Sequence, residues 1–211
     1  MNFKTKVILT LSSTFIVLLM IANLISNKTV AAFGLVFPAG VIAFSLTFTI
    51  SNAINELLGR KVTFFIIKLA ACLMIVQYLF VALAVHSPGS PFWVNQAAYS
   101  AILLNKLRIF LASVIAFFIS QSINAWLFDF LKQKHKSRNL WFRKNVSTIL
   151  SQIIDSTVFI LIAFSYSTLP LLDILVGQLV CKTAISLLDT PFAYITIGYL
   201  KEKLPKLEKC G

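Results

Sequence analysis

The chain has 211 residues, of which 58% are hydrophobic and 12% charged, with a mean hydropathy of +0.88. A soluble domain carries about 25% charged residues, so an ordinary soluble globule is excluded; disorder is excluded too, because it needs few apolar residues and dense charge. The net charge of +12 invites a nucleic-acid reading, and the placement of the basic residues decides whether it holds.

A transmembrane helix needs about 20 mostly apolar residues. Six such stretches are predicted, at about 7–26, 35–57, 62–85, 107–128, 146–169 and 174–200, which makes the chain an all-α integral membrane protein of one domain, 1–211. The first follows Lys4 and Lys6 as a signal peptide would, but its apolar run exceeds the usual signal core and reads as a retained helix. The second carries Asn52, Asn55 and Glu56 at i, i+3, i+4, so they share a face. The third holds Gln77, read as helix-to-helix glue whose replacement by Leu changes little. After it, 86–106 contains Pro88, Gly89, Pro91, Phe92, Trp93 and Tyr99, a composition that suits a short surface helix or a re-entrant piece at the membrane interface. The fourth span carries Gln121 and Asn124, the fifth Gln152 and Asp155, and the sixth Gln178 and Lys182, with Asp189 two turns further on the same face.

When the loops alternate across the membrane, fifteen of the nineteen basic residues fall on one side, including Arg60, Lys61, Lys132, Arg143, Lys144 and Lys201. Cytoplasmic loops are rich in Lys and Arg, so both termini are assigned to the cytoplasm. The segment Lys132–Lys144 is then a topology anchor near anionic lipid, and no nucleic-acid partner is expected.

Polar groups at membrane depth need partners or water, because a charge at a helix centre costs roughly 2.5–3.5 kcal/mol even on insertion scales. Turning all four stripes inward satisfies them around one shared interior. Asp155 and Lys182 approach the midplane, while Asn52, Glu56, Gln121, Asn124 and Asp189 lie toward the cytoplasmic ends. The expected cavity therefore runs from the midplane to the inner surface, with Asn23 and Asn27 on the external approach. The candidate substrate-binding set is Asn52, Glu56, Gln121, Asn124, Gln152, Asp155, Lys182 and Asp189. An ion pair between Lys182 and Asp155 is plausible, Lys182 with Asp189 is taken as a charge pair that responds to occupancy, and Glu56 is set against an interfacial pair with Arg60. Two His and three Cys give no metal-ligand spacing, no Gly-rich phosphate loop occurs, and no base is placed to activate a nucleophile, so no cofactor, metal or enzymatic activity is expected. No Gly-x-x-x-Gly packing motif selects a dimer face, which leaves a homodimer open.

Several stretches together resemble the queuosine-precursor transporters, also called the vitamin uptake transporter family: Ala22-Asn23 through Asn27-Lys28, Gly34 to Gly40, and Thr47 to Gly59 ending in Asn-Glu-Leu-Leu-Gly. The likeness continues through Ala112-Ser113 to Gln121, Arg143-Lys144-Asn145-Val146-Ser147-Thr148 leading to Gln152 and Asp155, and Lys182 with Leu188-Asp189-Thr190-Pro191-Phe192 and Tyr194. It implies a six-helix carrier in a bacterial inner membrane that imports 7-cyano-7-deazaguanine, its aminomethyl form or queuine for tRNA modification. Where the family has an acidic residue in the second and fourth helices, this chain has Asn52 and Asn124, and Ser45 stands where proline is usual. A deazaguanine edge offers N–H and NH₂ donors beside a carbonyl, so Asp155 or Glu56 suits the donors, the amides suit the carbonyl, and Phe44, Phe48 or Trp126 are candidates for stacking. The alternative is the substrate-capturing membrane subunit of an ATP-driven vitamin importer.

Overall fold

The computed structural model describes residues 3–32, 34–103, 107–134, 139–164 and 171–208. The first helix, α1 (Phe3–Ile25), is mostly apolar after Lys6 and buries Leu11, Phe15, Leu19 and Ala22 along one stripe while turning Leu9, Val17 and Ile21 outward. A β-hairpin follows, β1 (Thr29–Ala32) antiparallel to β2 (Leu35–Pro38), with Thr29 opposite Pro38 and Ala32 opposite Leu35. This corrects the start of the second predicted span. Residues 35–38 are apolar enough for a helix, but Gly34 at φ 74 makes the turn and Pro38 lacks the amide that a helix interior needs.

The second helix, α2 (Val41–Leu58), therefore begins six residues later than expected. It is buried almost all round, polar positions included: Ser45, Thr47, Asn52 and Asn55 are at most 1% exposed. A helix hidden on every face sits at the centre of its bundle. Its start is pressed against the end of α1, since a Cβ on Gly40 would lie 2.0 Å from Ser26 Oγ and 2.2 Å from the Ala22 carbonyl oxygen. Gly59, at φ 83, then turns the chain straight into α3 (Arg60–His86). The short α4 (Gln96–Leu103) has no buried residue; Gln96 accepts a hydrogen bond from Trp93 and donates to the Val85 carbonyl, which ties this surface helix to the end of α3.

The long α5 (Leu107–Lys134) and α6 (Leu140–Phe164) pack along each other, and α6 packs against α7 (Leu171–Leu188). Asn139, in the left-handed region at φ 61, precedes α6 and accepts a backbone bond from Arg143. The fifth predicted span accordingly starts six residues early, which moves Arg143 and Lys144 from the expected loop into the helix; its predicted tail, 165–169, lies outside the described residues. The sixth predicted span, 174–200, is two helices. The chain breaks at Asp189, and α8 (Thr190–Glu208) begins with Thr190 and Pro191, a residue that suits a first turn and resists a helix interior. Tyr194 of α8 accepts a hydrogen bond from the Trp141 amide at the start of α6, while Lys201 reaches Glu56 at the end of α2, so α8 lies across the end of the bundle where α1 begins. That end is called the terminal end below, and the opposite one the hairpin end.

Phe15, Leu19, Ile54, Ile67, Met74 and Phe117 form the apolar core between α1, α2, α3 and α5. Phe65, Phe80, Leu83 and Leu161 point outward and are more than half exposed. Among the described residues α1, α2, α3, the stretch Gln96–Lys134 and α6 are long and apolar enough to cross a membrane, and α7 supplies a shorter apolar run, Leu175–Leu188. Outward apolar side chains on such helices are what lipid requires, and the protein is a multi-pass membrane protein of helical architecture.

Candidate functional site

A cavity of about 450 Å³ runs inward from the hairpin end. Exposed Asn27 and Thr29 stand at its mouth, Phe37 and Pro38 of the hairpin form one rim, and Phe44, Tyr78, Phe110 and Phe159 give it aromatic walls. Tyr78 and Phe110 stack at 4.0 Å between ring centroids. The volume suits a small molecule.

Its floor is an ion pair between α6 and α7. Lys182 Nζ lies 2.8 Å from Asp155 Oδ2 and donates also to Ser156 Oγ at 2.8 Å, while Ser120 Oγ donates to Asp155 Oδ1 at 3.0 Å. The ammonium stands 5.1 Å from the centroid of the Phe44 ring, within cation–π reach. Both charged groups are buried, at 5% and 4% exposure, yet both border the cavity. Small residues allow this: Ala116 and Ser120 are one turn apart on α5, so α6 can approach closely enough for the Ser120 hydroxyl to reach the carboxylate.

Below the floor the bundle is closed by two packed layers. In the upper one, Gln121 donates to Thr47 Oγ1 at 3.1 Å, Asn124 to Asn52 Oδ1 at 3.0 Å, and Asn52 to Thr148 Oγ1 at 2.9 Å. Asn55 donates to the Ala125 carbonyl at 2.7 Å. Gln152 is fully buried at the same level, with neither end of its amide bonded. In the lower layer Glu56 is surrounded by cations: Arg143 Nη1 and Lys132 Nζ are each 3.2 Å from Oε2, and Lys201 pairs with Oε1. The Arg143 guanidinium lies 5.2 Å from the Phe128 ring centroid. Beside this cluster Asp189 accepts from Lys144 on one oxygen and from Thr49 on the other, and Thr190 donates to Asn145 Oδ1 at 3.3 Å. Among the described residues no three His, Cys, Asp or Glu side chains gather in a way that could hold a metal ion.

A pocket with apolar walls and a charged floor, opening at one end of an apolar helical bundle and closed by packed polar layers at the other, is an arrangement that suits a solute carrier. The model of a protein family described as "Putative vitamin uptake transporter" matches residues 38–196, about three quarters of the chain. The chain belongs to this family. A "Probable queuosine precursor transporter" of Bacillus subtilis (strain 168) is 28% identical over 192 residues, which cover 89% of this chain and 82% of the relative. No solved structure matches.

Of the eight site residues read from the sequence of this transporter, the structure brings only Asp155 and Lys182 to the cavity. Asn52, Glu56, Gln121, Asn124, Gln152 and Asp189 lie in the packed layers. The expected polar opening toward the basic end is thus a plug in this conformation, because Asn52, Gln121 and Asn124 bond across helices to one another and to threonine hydroxyls, and basic residues fold inward to meet the two carboxylates. Asp189 pairs with Lys144 rather than Lys182, since the break after α7 carries it away from that helix face. Glu56 meets Arg143, Lys132 and Lys201, while Arg60 faces Asp129 at 3.8 Å. Asn23 and Asn27 line the cavity, as does Phe44. Phe48 is fully buried, edge-on to Phe44, whereas Trp126 is half exposed on the outer surface, stacked on Phe130.

Sequence reasoning missed Gln77, which lines the cavity, and the inward roles of Arg143 and Lys144, each 1% exposed. A signal existed for the lysine: Lys144, Thr148, Gln152 and Asp155 step at i+4, i+4 and i+3, so one face of α6 carries all four.

Proposed function

We propose that this transporter imports 7-deazaguanine precursors of queuosine across a bacterial cytoplasmic membrane by alternating access. The observation that carries the proposal is the cavity that ends at the Asp155–Lys182 pair and is sealed below it. In this reading α7 is the sixth span, since its 18 residues reach about 27 Å at about 1.5 Å each. The termini and the basic end are cytoplasmic, by the excess of Lys and Arg there, and the hairpin end faces outward. The structure then corresponds to an outward-facing state.

A deazaguanine ring is flat, and the walls formed by Phe44, Tyr78 and Phe110 suit its faces. Its exocyclic NH₂ suits the Asp155 carboxylate, and one lone pair of its carbonyl suits the Lys182 ammonium, which leaves the ring N–H and the second lone pair to other groups. Binding there exchanges part of the ion pair for bonds to the substrate, which loosens α6 against α7. The amide layer of Asn52, Gln121, Asn124 and Gln152 and the clusters around Glu56 and Asp189 form the inner gate, and become the exit path once they part. The name of the Bacillus relative supports the substrate class.

The test is uptake in cells that cannot make queuosine, supplied with the cyano, aminomethyl or queuine form, with tRNA modification as readout. Restoration by at least one form is expected; restoration by none ends the substrate assignment. Liposomes holding this chain alone should take up the labelled base. If uptake required an added ATPase pair, the carrier reading would give way to that of an importer subunit.

A further inference from the structure

We propose that Gln77 on α3 and Gln178 on α7 are specificity-determining residues, which read the edge of a planar, uncharged heterocyclic lactam. This rests on the functional reading above and adds the groups that select the ring. Polar side chains around the cavity are nearly all occupied. Asn23 donates to the Leu19 carbonyl and accepts from Ser113, Ser26 donates to the Ala22 carbonyl, and Asn27 donates to the Ile102 carbonyl. Asp155 and Lys182 hold each other, with Ser120 and Ser156 taking up further bonds. Gln77 and Gln178 both border the cavity, and neither is hydrogen-bonded to another described residue.

Gln178 is only 5% exposed. Because it borders the cavity and bonds to no described residue, its amide is available to a molecule that enters. The positions are suited to reading a ring. Gln178 stands one helical turn before Lys182 on the same face of α7, which puts it on the hairpin side of the floor. Gln77 adjoins Tyr78, whose ring stacks with Phe110 in the wall.

A carboxamide offers a carbonyl acceptor beside NH₂ donors, the two-point complement of a lactam's adjacent N–H and C=O. An O-alkylated ring has lost that N–H and turned its carbonyl into an ether, so one of the two bonds cannot form. The selection acts on the ring edge and is indifferent to the substituent at the 7-position.

The experiment uses the full-length protein in liposomes, with uptake of labelled 7-cyano-7-deazaguanine competed by the unlabelled base and by its 6-O-methyl derivative. The wild-type protein should be inhibited at least about tenfold more weakly by the methylated ring, the factor expected from one lost hydrogen bond of about 1.4 kcal/mol. Gln77→Leu and Gln178→Leu should each raise KM for the parent base about tenfold and bring the two competitors closer together. Gln178→Glu keeps the shape but loses the donor, and should narrow the ratio even if the Leu variant fails to insert. Equal inhibition by both rings in the wild-type protein would overturn the proposal, as would variants that keep the wild-type ratio. If the wild-type protein moved no deazaguanine at all, the functional reading itself would fall.

Discussion

The Asp155–Lys182 pair puts two charges at membrane depth where each is the other's main partner, and that dependence can be measured. Lys182→Met leaves the Asp155 carboxylate with only the Ser120 hydroxyl and should cost about 3–5 kcal/mol, the usual penalty for halving a buried pair. The double variant Asp155→Asn with Lys182→Met removes both charges and should recover most of the thermal stability without recovering uptake. A single variant that melts like the parent and still transports would remove the pair from both roles. The Glu56 cluster separates its cations by burial. Arg143 is 1% exposed at its side chain and Lys201 50%, so Arg143→Leu should lower the melting temperature clearly, whereas Lys201→Ala should cost no more than about 1 kcal/mol. Equal losses from the two would show that burial does not set their worth.

At the scale of helices, the places where the sequence was readable are those with local signals. The spans near 7–26, 62–85 and 107–128 correspond to α1, α3 and α5 because apolar length needs no knowledge of neighbours. The break at Asp189 also had a local signal, Asp-Thr-Pro, but the apolar run continues through Phe192, Ile195 and Ile197 and masks it. Which side of the floor is hollow had no such signal. It depends on Asn52 meeting Asn124 and Thr148 across three helices, a match of registers that no single helix records. Those two asparagines bond directly to each other and keep the layer neutral. Close approach of elements is testable through glycine. Gly40→Ala places a methyl group 2.0 Å from Ser26 Oγ and 2.2 Å from the Ala22 carbonyl oxygen, so α1 and α2 must part at the hairpin end, with a clear fall in melting temperature. Gly198→Ala on α8 meets nothing within 4 Å and should be neutral or stabilise by about 0.5–1 kcal/mol. If the two substitutions behaved alike, close packing at Gly40 would not be what holds that corner.

Across the whole molecule the two ends are built differently. Around the hairpin end the helices enclose a cavity, whereas at the terminal end α2, α6 and α8 are joined by ion pairs and hydrogen bonds. In the proposed alternating cycle the second set is released while the first closes, and α8, lying across the terminal end, swings away from α6 as the path opens. Thr190 and Asn145 mark that contact, with Thr190 Oγ1 donating to Asn145 Oδ1 at 3.3 Å. Asn145→Cys with Thr190→Cys, in a chain whose Cys72, Cys181 and Cys210 are replaced by Ser, should cross-link under mild oxidation. Uptake into liposomes should then stop and return on reduction, while each single cysteine variant stays active under the same treatment. Binding of the base from the hairpin side should survive the cross-link, because the cavity and its floor are untouched, and this separates a locked gate from a damaged fold. Undiminished uptake by the cross-linked protein would mean that α8 and α6 move as one body, and that the exit lies elsewhere in the bundle.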